Sequence, residues 1–123
     1  MKKVILDTNF ILTCIRNKVD FFEEIPLMGI KIIIPQQVIE EVEKIMNSKK
    51  KLHFKEDAKI ALKILEKNSF EKINLQGSYV DLGLENFAKK NKDILIATLD
   101  KDLKKKISNS KLIIRNRKKL EII

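Results

Sequence analysis

Two acids stand where apolar runs stop. "KVILDTNF" carries Val4, Ile5 and Leu6 straight into Asp7, and "ILIATLDKDLKKK", residues 94 to 106, ends its apolar stretch at Asp100 and Asp102 with lysines close behind. A carboxylate at such a place can cap the helix that follows by accepting backbone N–H bonds. It can equally hold a cation beside a substrate. For one aspartate taken alone the cap is the better reading; a second at an equivalent place points to a shared site. The "TN" after Asp7 adds a hydroxyl and an amide that can cap the next helix or fix the direction of the carboxylate.

Helix geometry supplies two further acids. In "VIEEVEKIM" the residues Val38, Ile39, Val42, Ile45 and Met46 form one apolar stripe. At about 100° per residue, Glu41 and Glu43 fall on its opposite margins and Glu40 points away. Glu41 is nearer the preceding strand end and Pro35, so it reaches a crevice without burying its charge in the core. In "YVDLGLENFAKK" the stripe is Val80, Leu84, Phe87 and Ala88, with Asp81 on its margin in the first turn. There the helix dipole favours a carboxylate whether or not it has any other task. Four acids meeting in one crevice would repel one another unless a cation stood between them. Oxygen-only ligands select hard divalent ions, Mg²⁺ or Mn²⁺. Such an ion can activate water and neutralise charge on a phosphodiester. The lysines would then hold the polyanion while the acids hold the ion.

The elements that must position these acids follow from the pattern of the chain. Short β-branched runs recur at "KVILD", "IKIII", "FEKINL", "DILIAT" and "KLIIR", with helix-period segments between most of them. That alternation predicts an α/β fold of three layers, α/β/α, around a mainly parallel sheet. In such sheets the ligand crevice lies beyond the carboxyl ends of the strands, where Asp7 and Asp100 both fall. Helices are expected after Asn9, near Asp20, at Gln36, around Phe54, near Tyr79 and after Asp100. Pro35 suits a helix start and Pro26 bends or ends the "VDFFEEIPLM" segment. Gly77 and Ser78 mark a turn, and "NSKKKLHFKED" reads as an exposed connection. The closing "RNRKKLEII" fits either a last strand or a basic tail. At 123 residues, with no repeat or linker, residues 1–123 are expected to form one domain.

Composition narrows the function classes. With 26 basic and 17 acidic residues the net charge is +9, which favours nucleic acid first and an anionic membrane second, or reflects solubility alone. Cys14 and His53 are the only residues of their types, which excludes an intramolecular disulfide and a multi-ligand zinc site and suits a reducing, cytoplasmic setting. Cys14, inside "FILTCIR", reads as a buried thiol rather than a nucleophile. The apolar start breaks at Asp7, too early for a signal peptide, and no stretch approaches the roughly 20 residues of a membrane span. One Tyr, no Trp and six mostly core-spaced Phe leave few stacking platforms, so RNA recognition is expected through backbone charge and shape, with a steep salt dependence.

"VILDTNF", then "IIIPQQVIEEVEK", "DLGLENFAKKN" and "ILIATLDKDLKKK" together resemble, in order and spacing, the PIN domain of metal-dependent ribonucleases. The resemblance covers nearly the whole chain. It implies a parallel-sheet α/β/α fold, a Mg²⁺ or Mn²⁺ site, and RNA hydrolysis that leaves a 5′-phosphate. Position by position it implies Asp7, Glu41, Asp81 and Asp100 as the metal-binding catalytic acids. Asn9 and Thr98 match orienting polar residues, and Asp102 matches a secondary acid. Among basic residues, Lys101, Lys104, Lys105, Arg115 and Arg117 are candidates for RNA contact, although such runs serve equally as solvated faces. "TNFIL", "VDFFEEI" and "PQQVIEEVEK" resemble the PIN proteins related to ribosomal RNA processing nucleases, whereas the short length is similar to VapC toxins. The implied partners are RNA, a small antitoxin or a ribosomal assembly, and a second copy in a homodimer. Two departures stand out: no cysteine-rich zinc ribbon follows, and Asp81 lacks an adjacent second acid. A phosphoacceptor receiver domain would want an Asp ending its third strand, where "FEKINLQG" has none, and a haloacid-dehalogenase-like phosphatase would want one at Asn9. The rival reading from another class is a PIN-like module that binds RNA or protein without cutting.

Overall fold

The computed structural model describes residues 1–77 and 79–123. The chain order is β1 (Lys2–Leu6), α1 (Thr8–Arg16), α2 (Phe21–Leu27), β2 (Ile30–Pro35), α3 (Gln36–Met46), α4 (Leu52–Lys67), β3 (Glu71–Ile73), α5 (Val80–Lys90), β4 (Leu95–Ala97), α6 (Lys101–Lys106), β5 (Lys111–Arg115) and β6 (Lys119–Ile122). The six strands form one sheet in the order β3-β2-β1-β4-β5-β6. Every pairing is parallel except the final β5–β6 hairpin.

The pleat explains the three layers. Alternate residues of a strand face opposite ways, so Val4 and Leu6 of β1, Ile32 and Ile34 of β2, and Leu95 and Ala97 of β4 pack on one side with α1 to α4. Ile5, Ile33 and Ile96 pack on the other with Leu84 and Ala88 of α5 and Leu103 of α6. A strand buried on both faces must be apolar throughout, which is why "VIL" and "IIIP" do not alternate. Fully burying each such side chain stabilises the fold by roughly 1.5–3 kcal/mol before entropy is counted.

The order of the strands decides where a site can form. From β1 the chain winds outward through β2 to β3, then crosses back to place β4 on the other side of β1. The winding therefore reverses between β1 and β4, and neighbouring connections leave the sheet in opposite directions there, opening a crevice. Asp7 follows β1, and Asp100 lies three residues after β4. The register brings them level, since Leu6 pairs with Ala97 and the Asp7 N–H donates to the Ala97 carbonyl at 3.0 Å.

Several local expectations are refined. The exposed connection is confined to residues 47–51, because α4 starts at Leu52 and takes the rest of "NSKKKLHFKED" to bury Ala58, Ala61 and Leu65. Pro35 ends β2 and stands at the N-cap of α3 with φ −64°, so the helix starts at Gln36 as expected, and Pro26 lies one residue before the end of α2. "RNRKKLEII" contributes β6, so it is not a loose tail. Of the turn expected at Gly77 and Ser78, Gly77 has φ +93°, a region open to glycine, while Ser78 lies outside the described residues.

The helix carrying Asp81 is seated by two other residues. A Cβ on Gly83 would lie 3.0 Å from the Leu75 Cβ and 3.1 Å from the Gln76 carbonyl oxygen, so glycine lets α5 settle against this segment. The Gln37 side chain, on α3, holds the same segment by donating to the Leu75 carbonyl at 3.1 Å and accepting from its N–H at 3.0 Å. The helix bearing Glu41 is thus tied to the support of the helix bearing Asp81.

Candidate active site

Asp7 is both a helix cap and a buried charge. It is 5% exposed, and its Oδ1 accepts the Thr8 N–H at 2.7 Å as the N-cap of α1. Its Oδ2 accepts from the Thr98 hydroxyl at 2.8 Å, and that hydroxyl in turn accepts the Asp100 N–H at 3.1 Å. Thr98 is fully buried, so a single hydroxyl sets the spacing of the two strand-end acids. Asp100 caps α6 through its Oδ1, which accepts the N–H groups of Asp102 at 2.9 Å and Leu103 at 3.2 Å. The cap and site readings are therefore compatible: capping directs each carboxylate at a helix N-terminus and leaves lone pairs for another ligand.

The other two acids arrive from the helices. Glu41 is partly buried on α3 and its Oε1 accepts from the Thr8 hydroxyl, whereas Glu40 and Glu43 are exposed. Asp81 projects from the first turn of α5. All four line one hollow of about 370 Å³ together with Thr8, Asn9, Lys44, Ile45 and Lys50. Burial pushes the Asp7 carboxyl from its ordinary 3.8 up to about 6; the Thr98 hydroxyl and Thr8 N–H oppose the rise, and the charges of Asp81 and Glu41 add to it.

Among the described residues no group of three or more acidic, His or Cys side chains is drawn close enough together to hold a metal ion by itself. A hard divalent ion does not need one, because Mg²⁺ keeps several waters and takes one or two carboxylates from the protein. An all-oxygen set facing an open crevice, with its most buried member destabilised by burial and by two like charges, has the chemistry that a divalent cation would relieve.

The remaining candidates stand outside this hollow. Asp102, Lys101 and Lys105 are exposed on α6 and Lys104 is partly buried there. Arg115 is ion-paired with Glu121, and Arg117 occupies the β5–β6 turn with φ +65°. Lys44 and Lys50 line the hollow instead. Lys44 had a usable signal, since three residues after Glu41 it shares that helix face; Lys50 had only its place in "SKKKLHFK". Phe54 departs from the expectation of core-spaced phenylalanines, being 43% exposed beside the crevice. Cys14 is fully buried and its thiol is pushed by burial, and further by Glu24, to about 12, which fits an inert thiol.

A sequence profile described as a PIN-like domain matches residues 4–119. The chain belongs to the PIN-like domain family. It is similar to a protein named Ribonuclease VapC4 from Methanocaldococcus jannaschii, at 29% identity over 128 aligned positions covering 99% of this chain and 97% of that one. Its fold matches a structure described as that of the PIN domain endonuclease Utp24, with a TM-score of 0.76 and 30% identity over 98% of this chain and 90% of that one. The PIN fold thus accounts for the six-stranded, mainly parallel sheet and its flanking helices. Among the described residues no helix is long and apolar enough to cross a membrane.

Proposed function

We propose that this PIN-family chain is a divalent-metal-dependent endoribonuclease, with Asp7, Glu41, Asp81 and Asp100 holding Mg²⁺ or Mn²⁺. The observation that supports this most strongly is the meeting, at the switch point of the sheet, of four acids from four separate segments of the chain. Its relatives, a ribonuclease and an endonuclease by name, favour the same chemistry. When bound, the ion would supply charge neutralisation at the phosphodiester and acidify a water for in-line attack.

The chain's own residues do the rest. Thr98 and the Thr8 N–H hold the Asp7 carboxylate in one orientation, and the Thr8 hydroxyl holds Glu41. Lys44 and Lys50 place positive charge where the phosphate chain would lie, and Asn9 offers an amide at the same wall. Asp102, Lys101, Lys104, Lys105, Arg115 and Arg117 lie farther out and would contact flanking RNA. The protein acts in the cytoplasm, restrained by a small antitoxin in a VapC-like role or by a ribosomal assembly in an RNA-maturation role. A homodimer is part of the same proposal, and a monomer in sedimentation at micromolar concentration would remove it.

The test is cleavage of a labelled single-stranded RNA with Mn²⁺ present. Asp7→Asn and Asp100→Asn should each lower kcat/KM by on the order of a hundredfold or more while circular dichroism stays unchanged, since Asn retains capping ability. Equal cleavage by wild type and both variants would refute the assignment. One observation favours the second reading, a non-cutting binding module: Asp7 and Asp100 both already serve as caps. No cleavage and no Mn²⁺ or Mg²⁺ binding near the millimolar range would establish that reading instead.

A further inference from the structure

A second hollow of about 430 Å³ adjoins the acid crevice. Asn9, Ile45, Lys50 and Asp100 line both, so the two form one continuous groove. Their walls differ in kind. The acid crevice alone carries Lys44 and three further carboxylates, whereas the neighbour alone carries Leu12, Leu99 and the ring of Phe54. Two of its four charged residues are paired with each other: Arg16 Nε and Nη2 both donate to Asp57 Oδ2, at 3.1 and 3.0 Å, while Lys50 and Asp100 stand at the border with the acid crevice. That pairing fixes the guanidinium with its Cζ 5.9 Å from the Phe54 ring centroid. On the chain side, the His53 ring packs against Phe54 at 4.1 Å between centroids.

Phe54 is 43% exposed in the wall of this hollow, so an apolar ring lies open to solvent directly beside the acid crevice. Leu12, Leu99 and the Phe54 ring, with the Arg16 guanidinium and Thr13 beside them, offer an aromatic heterocycle an apolar and stacking surface that a phosphate would not use. We infer that this hollow is a nucleobase subsite: a base flanking the scissile bond stacks on Phe54 and Arg16 while its phosphate lies over the adjoining acids. The inference rests on the endoribonuclease reading of the crevice. It adds to charge and backbone shape a contact that reads the base itself, so cleavage should prefer some bases over others at one position beside the cut.

The chain has no tryptophan, so Phe54→Trp installs a single fluorophore at the proposed platform. In an Asp7→Asn background, a short single-stranded RNA should quench its emission on binding, and a ribose-phosphate chain of equal length without bases should not. In the cleaving protein, Phe54→Ala should raise KM about tenfold to a hundredfold with kcat within about twofold, and Phe54→Tyr should restore it. Unchanged emission while anisotropy reports bound RNA, equal quenching by the baseless chain, or unaltered KM in a folded Phe54→Ala protein would each overturn the subsite. The two readings separate cleanly. Quenching by RNA without cleavage by the wild-type chain keeps the subsite and removes the nuclease, whereas cleavage indifferent to Phe54→Ala keeps the nuclease and removes the subsite.

Discussion

Helix α1 has a hollow at each end, and the two differ in what burial does. At its start lies the acid crevice, about 370 Å³, with Asp7. Toward its other end lies a larger hollow of about 620 Å³, lined by Cys14, Phe21, Phe22, Ile60 and Ile64. Burial raises the pKa of the titratable group at both: Asp7 to about 6 and Cys14 to about 12. For the thiol that shift removes the charged form at any physiological pH. For the carboxyl it leaves the charged form available near neutrality, but at a cost that a cation would offset. Size alone would favour the Cys14 hollow; the environment of the ionisable group favours the acid crevice.

The largest expected break in this contrast comes at Thr98. Thr98→Val keeps the shape but removes the donor to Asp7 and the acceptor for the Asp100 N–H. Divalent affinity measured by titration calorimetry should fall about 10- to 100-fold, as for other orienting partners of metal ligands, and Thr98→Ser should hold near wild type. Equal affinities for all three proteins would show that the hydroxyl does not orient the acids.

Next in size is the pH dependence of stability without metal. The folded pKa of Asp7, about 6, lies above its ordinary 3.8, so the folded state binds more protons between those values. Stability should therefore fall as pH rises from about 4 to about 6 and level off above. Asp7→Asn removes that term. Urea unfolding should find the variant more stable than wild type by on the order of 2 kcal/mol at pH 7, with the gap closing toward pH 4. A gap that stays constant with pH would mean that the buried carboxyl is not strained.

The smallest effect belongs to the other hollow. Cys14→Ala should leave RNA cleavage unchanged and cost about 1 kcal/mol of unfolding free energy, from loss of a small buried side chain. Native Cys14 should resist alkylation until urea exposes it. A tenfold loss of cleavage in this variant would erase the distinction between the two ends of α1.

How legible the molecule was depended on the kind of signal. Asp7 and Asp100 could be found because a buried strand must be apolar until it leaves the sheet, so an acid at its end is conspicuous. Glu41 was separable from Glu40 and Glu43 because helical phase alone distinguishes them. The start of α4 was legible only to within a few residues, around Phe54 rather than Leu52, because both are exposed and the buried stripe of Ala58, Ala61 and Leu65 appears only later. Lys44, Lys50 and Phe54 were missed as wall residues because exposure depends on which helix covers which, and local pattern does not encode that.

Periodicity, strand-end chemistry and charge balance are properties of neighbouring residues, and from them the amino-acid sequence by itself determined the α/β class and the candidate acids. Only the tertiary structure decided that β4 lies beside β1, that Thr98 bridges their two acids, and that a hollow lined by Phe54 and Arg16 opens next to them. Those are pairings between segments as many as 91 positions apart, as in the bond from Thr98 to Asp7. Such pairings are set by how whole layers pack, which no short stretch of chain can specify.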